Sequence, residues 1–188
     1  LDLPQDTLGL ILTRVHGLAD DARRVLAVAA VVGARFRPEL VAAALDMPAR
    51  EVLDVLADAS RRGLVEQRAA EEFGFVHNRI RGALLDELTG DDVAHLHAGV
   101  AAALRAQPTP PGGHDAEHVY AVAHHCIGAG AHLDPERAAA ACATAGALAL
   151  ASYAPDLAVT FLSYALETPG PAHASGTADA DVELRVRL

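Results

Sequence analysis

Between Leu64 and His77 the apolar spacing of this chain shortens from the helical value of about 3.6 residues to two. "LVEQR" reads as a short strand, "AAE" as a turn, and "EFGFVH" as a second strand with Phe73 and Phe75 on the same side. Helical patterns lie on both sides, so the chain must combine one small β-hairpin with helices. The hairpin passes into the next helix through a polar joint, "FVHNRIRG", which holds the only asparagine of the sequence.

Ahead of the hairpin, "PQDTLGLILTRVHGL" places Leu8, Ile11, Leu12 and Val15 at helical spacing, with Asp6 as a cap. "ADDARRVLAVAAVVG" closes on Gly33. In "RPELVAAALD", with Pro38 in the first turn, the expected face is Leu40, Val41, Ala44 and Leu45. In "MPAREVLDVLADASRRG" it is Val52, Leu53, Leu56 and Ala59, ending at Gly63. After the hairpin come "NRIRGALLDEL" and "DDVAHLHAGVAAALRA". Three helices followed by a hairpin match a winged helix, a helix-turn-helix with a β-wing.

"QPTPPGGHD", residues 107–115, is the first clear break. Beyond it three more helices are expected, the last, "PDLAVTFLSYALE", carrying a stripe of Leu157, Ala158, Phe161, Leu162, Ala165 and Leu166. Gly146, Ala158 and Ala165 stand at the small-residue spacing of a tetratricopeptide repeat, with Pro169 near the terminating proline. Ala149 departs from that pattern, which prefers tyrosine there. Residues 168–180 read as a loop, and "DVELRVRL" reads as the start of another helix, so the chain is expected to be a piece of a larger protein. The fold class is thus mainly α. A winged-helix domain over 20–106 and a linker over 107–115 lead into a tetratricopeptide-like array over 116–188, behind a leading helix over 1–19.

Half of the residues are apolar, aromatics are scarce, and all fifteen basic residues are arginine. Without lysine these residues contain neither a P-loop lysine nor a Schiff-base lysine. The net charge of −10 disfavours a module that grips nucleic-acid backbones. On the helix over 48–62, Arg50, Arg61 and Arg62 stand against Glu51, Asp54 and Asp58, and on the wing Arg68 stands against Glu66, Glu71 and Glu72. Direct DNA contact is therefore not expected. No apolar run reaches membrane-spanning length, and Cys126 and Cys142 read as reduced, buried thiols of a cytoplasmic protein.

Ten histidines raise the question of a metal. His95 and His97, two apart, diverge on a helix, as do the consecutive His124, His125 and Cys126. His114 and His118 have the right spacing but no acidic partner motif, so no metal site is expected. His97 shares a face with Val93, Leu96, Val100 and Leu104, which suits a structural or interdomain role. Nucleophile motifs are missing, and the carboxylate pairs Asp20–Asp21, Glu71–Glu72 and Asp91–Asp92 fall at helix starts or in the turn, where they serve as caps. No catalytic residue is expected.

The run from "LADDARRVLAVAAVVGARFRPELVAAAL" through "RRGLVEQ", "FGFVHNRIRGALLDEL" and "HLHAGVAAALRA" resembles STAND-type signalling ATPases, in particular large ATP-binding LuxR-type bacterial transcriptional regulators. The most specific element is Phe75-x-His77-x-x-x-Arg81, followed by Leu96-His97; Val93 and Ala94 stand where that family often has arginines. The resemblance implies a winged helix after an AAA-like ATPase core, then helical repeats that take a protein or small-molecule effector. The nucleotide, ATP or ADP with Mg, would belong to the parent protein, and none of these residues would hold a cofactor alone. It also implies that His77, with Arg79 and Arg81 on position alone, senses the phosphates of bound ADP. The alternative is that His77 caps the helix and packs on the wing, with the arginines paired to Asp86 or Glu87. Two other readings stay open: a DNA-binding regulator, and a nucleotide-independent interaction scaffold.

Overall fold

The computed structural model describes residues 17–168 except 109, 112 and 114, together with Thr13 and Val15. Most of the leading helix, His114, Pro169 and everything after it lie outside the described residues. The described residues form two compact units that divide between Ala103 and Leu104. They are mainly helical, with eight α-helices and one three-stranded antiparallel sheet.

The first unit is built around α1 (Asp20–Val32). Every residue from Val25 to Val31 is buried, as in a helix that is apolar on all sides. Neighbours on several sides account for this: β1 (Arg35–Phe36), α2 (Pro38–Leu45), α3 (Ala49–Arg61) and α4 (Asn78–Asp86) all pack against α1. Gly33 ends α1 at φ 153°, a backbone region closed to most side chains, and its N–H returns to the Ala29 carbonyl.

The expected hairpin is present as β2 (Val65–Ala69) and β3 (Glu72–Phe75), with a bulge between Gln67 and Ala69. Phe36 on β1 touches both Phe73 and Phe75, at ring-centroid distances of 6.4 and 5.5 Å. These contacts fit the shared face expected for the two hairpin phenylalanines. β1 itself was not expected, because two residues are too short to show a period. It pairs with β3, giving the order β1-β3-β2, and so fastens the hairpin to the helices.

One expected face is rotated, and another is narrower than expected. In α2 the buried residues are Pro38, Val41 and Ala42, leaving Leu40 and Ala44 half-buried at the flank. In α3 they are Val52, Leu56 and Ala59, while Leu53 lies about 100° round the helix from Val52 and is 44% exposed. Beyond α4, α5 (Gly90–Ala106) opens on a reciprocal cap. Asp92 accepts from the Thr89 hydroxyl and backbone N–H, and its own N–H donates back to that hydroxyl.

The second unit holds α6 (Ala116–Ala129), α7 (Pro135–Ala151) and α8 (Pro155–Glu167). Asp115 caps α6 and Asp134 caps α7 through their carboxylates. Packing depends on small residues: Ala123, Cys142, Ala145, Phe161 and Ala165 form one buried cluster, and Ala149, Ala158 and Leu162 another. Tyr120 stacks on Phe161 at 5.8 Å. Leu157 and Val159, by contrast, stay exposed on α8. At Gly146 the approach of α8 is so close that an added Cβ would stand 2.4 Å from Leu162 Cγ. Gly146→Val should therefore destabilise the second unit by about 2–3 kcal/mol, since overpacking outweighs the helix-propensity gain over glycine. A double-mutant cycle of Gly146→Ala with Leu162→Ala, followed by denaturant unfolding, should show the pair losing less than the sum of the singles.

Candidate functional site

The polar joint is fixed from below by the backbone. Phe75 donates its N–H to the Ala34 carbonyl and Val76 donates to Leu64, both at 3.1 Å. The strand conformation continues through His77 (φ −140°, ψ 140°), after which α4 starts at Asn78. Ile80, three residues on, is fully buried and its N–H reaches the His77 carbonyl at 3.0 Å. This anchor turns His77, Asn78 and Arg79 outward, and all three are exposed.

The four residues expected to matter have different surroundings. His77 occupies the N-cap position of α4, but its side chain makes no capping bond. Arg79 is exposed beside it. Arg81 points the other way: its Nε donates to the Ala30 carbonyl at 2.7 Å, across 51 residues of sequence. That carbonyl belongs to the last turn of α1, where helix carbonyls lack intrahelical partners and the dipole favours a cation. α1 has no basic residue in its own last turn, so Arg81 supplies the charge from α4. The alternative pairing of Arg81 with Asp86 or Glu87 is not what forms. Glu87 instead lies 3.9 Å from Arg23 Nε on α1, a second link between the same two helices. His97 is half-buried on α5, on the face that also holds Val93, Leu96, Val100 and Leu104.

The N-terminus of α4 is electrostatically open. It has no side-chain cap and no acidic residue in its first turn. The first N–H groups of a helix carry partial positive charge and need outside acceptors. Among the described residues α1, α2, α3, α6, α7 and α8 all carry an acid in the first turn. In a chain of net charge −10, this corner therefore favours an anion locally.

Several other charged groups and both thiols of the described residues have surroundings of their own. Asp58 sits between Arg62 and Arg61, at 2.7 and 3.1 Å, and the hydrogen bond from Arg62 holds its carboxyl below the usual range. Arg37 pairs with Glu71 at 2.6 Å, Arg35 with Glu72 at 3.7 Å and Arg68 with Glu66 at 2.5 Å. Cys126 and Cys142 are buried; burial raises both thiols, Cys142 to about 12, which disfavours the thiolate form of each. His124 is exposed and His125 is buried, yet their rings meet edge-on at 5.3 Å, so these two consecutive histidines do not diverge as expected. Among the described residues no three His, Cys, Asp or Glu side chains gather as metal ligands, and no helix is long and apolar enough to cross a membrane.

Sequence reasoning missed one further feature, an open cleft of about 680 Å³ in the second unit. Its lining comes from the end of α5, from α6 and from α7, so no single period announces it. Comparison of the chain with family models, curated proteins and solved structures returned no match.

Arg81 and His77 should separate cleanly in a stability measurement. Replacing Arg81 by alanine leaves the Ala30 carbonyl without its charged donor and should cost about 1.5–3 kcal/mol. Replacing the exposed His77 should change unfolding free energy by no more than about 0.5 kcal/mol. Urea titrations followed by circular dichroism check both.

Proposed function

We infer that this chain is a regulatory region of a multidomain, ATP-dependent bacterial transcriptional regulator of the STAND type. On this reading the first unit is a winged helix: α1, α2 and α3 with β2 and β3 as the wing, held to the helices through β1. The second unit begins a tetratricopeptide-like array. Neither unit is catalytic; an ATPase core ahead of Leu1 binds the nucleotide with Mg, and an effector binds the repeats.

The observation that carries the reading is the joint at the start of α4. His77, Asn78 and Arg79 are exposed round a helix N-terminus that has neither cap nor acid, on a base held by Ile80 and Arg81. Free amide donors with a histidine and an arginine beside them suit a phosphate group presented by another domain. In the ADP state the joint would clamp the ATPase core; exchange for ATP, together with an effector, would release it. Direct DNA contact finds less support, because the arginines of α3 and of the wing nearest the carboxylates are already paired.

The test is made on the full-length protein, whose sequence ahead of Leu1 must contain a Gly-x-x-x-x-Gly-Lys-Ser/Thr loop. His77→Ala should speed ADP release about tenfold, the value of one charge-assisted hydrogen bond, and raise basal reporter output. An upstream sequence without the loop, or unchanged ADP retention, sinks the proposal.

A further inference from the structure

The cleft of the second unit has an apolar floor made by Val119 and Val122 of α6 and by Ala140 and Ala141 of α7. Charged groups stand round it, and they are not equivalent. Arg137 is paired with Asp134 at 3.6 Å, and Asp134 also caps α7 by accepting from the Glu136 N–H. Arg105, in the last turn of α5, has no hydrogen-bond or ion-pair partner among the described residues. It lines the same cleft as Val119 and Val122 of α6. One uncommitted cation thus borders an apolar floor, with Asp134 and Glu136 also at the cleft.

We propose that this cleft binds an amphipathic monocarboxylate, with Arg105 taking the carboxylate and the Val119–Val122–Ala140–Ala141 floor taking the apolar body. The planar guanidinium matches a carboxylate through two parallel hydrogen bonds. A phosphate dianion fits less well, because Asp134 and Glu136 repel a second charge and Arg137 is already engaged. The volume suits a ligand of a few residues or a short hydrocarbon acid, since such sites typically span about 300–1,000 Å³. The carboxylate comes from a small organic acid or from the apolar C-terminus of a peptide; the chemistry is shared. The proposal extends the regulatory reading by giving the effector a chemical class, yet it concerns a different unit and needs no nucleotide.

The experiment uses the 188-residue chain without ADP. Octanoate, a tetrapeptide ending in Val-Leu with a free C-terminus, its C-terminal amide, and inorganic phosphate are titrated, with backbone NMR shifts as the readout. One or both free acids should bind and move the resonances of Val119, Val122, Ala140 and Ala141, while the amide and phosphate should not. Arg105→Gln should weaken binding at least about tenfold. Ala140→Glu, which sets a carboxylate on the floor at an exposed helical position, should abolish binding without changing the melting profile. Binding of octanoate alone assigns the source to a free acid, and binding of the peptide alone assigns it to a chain end. The proposal is overturned if neither acid binds at roughly 10 mM, where interactions of only about 3 kcal/mol register. Amide binding equal to that of the free peptide, or an Arg105→Gln variant that binds like the parent, also overturns it. Because no nucleotide is present, failure of His77 to affect ADP retention would leave this result untouched.

Discussion

The first unit depends on α1 being buried on every side. Val25 to Val31 can all leave water only if several elements surround them, and α2, α3, α4 and β1 do so. Full burial of a valine or leucine contributes about 1.5–3 kcal/mol, so this one helix outweighs any exposed ion pair on the same unit, each of which is worth about 1 kcal/mol or less. Surrounding a helix also covers its ends. The C-terminal carbonyls of α1 need partners away from water, and Arg81 from α4 meets that need at Ala30. The direction of α4 is thereby set, and with it the outward position of His77, Asn78 and Arg79. The three residues that the resemblance marks therefore have different surroundings. Arg81 holds the helix, while His77 and Arg79 face outward.

Close approach takes the place of bulk in the second unit. Alanine-rich helices bury little area each, so they must come near enough for many small contacts. Gly146 opposite Leu162 is where that approach is tightest, and Tyr120 on Phe161 fills space that alanine cannot. The same small residues leave the Ala140–Ala141 side of α7 shallow, which is how α6 and α7 come to share an apolar floor beside Arg105.

Much of the architecture was legible in the sequence because it rests on local chemistry. The period-two stretch gave the hairpin, Gly33 and Pro38 gave helix boundaries, and the Asp91–Asp92 start gave a cap, refined here to Thr89 with Asp92. The misses share a different cause. β1 is two residues long and exists only because β3 is beside it. Leu53 and Leu40 fit a helical stripe in one dimension, but the faces their helices bury are chosen by neighbours distant in sequence. The family resemblance marks Arg81, yet its partner lies 51 residues away and is a backbone carbonyl, which no side-chain pattern encodes. The cleft draws on three helices, so its residues look unrelated until they are folded together.

The central claim is that the start of α4 meets a nucleotide phosphate held by another domain. Amide hydrogen exchange in the full-length protein tests it most directly, because those N–H groups are the proposed donors. With ADP added, the amides of Asn78 and Arg79 should become protected by about tenfold or more, while those of α7 remain unchanged. Equal exchange at Asn78 and Arg79 with and without ADP would contradict the account.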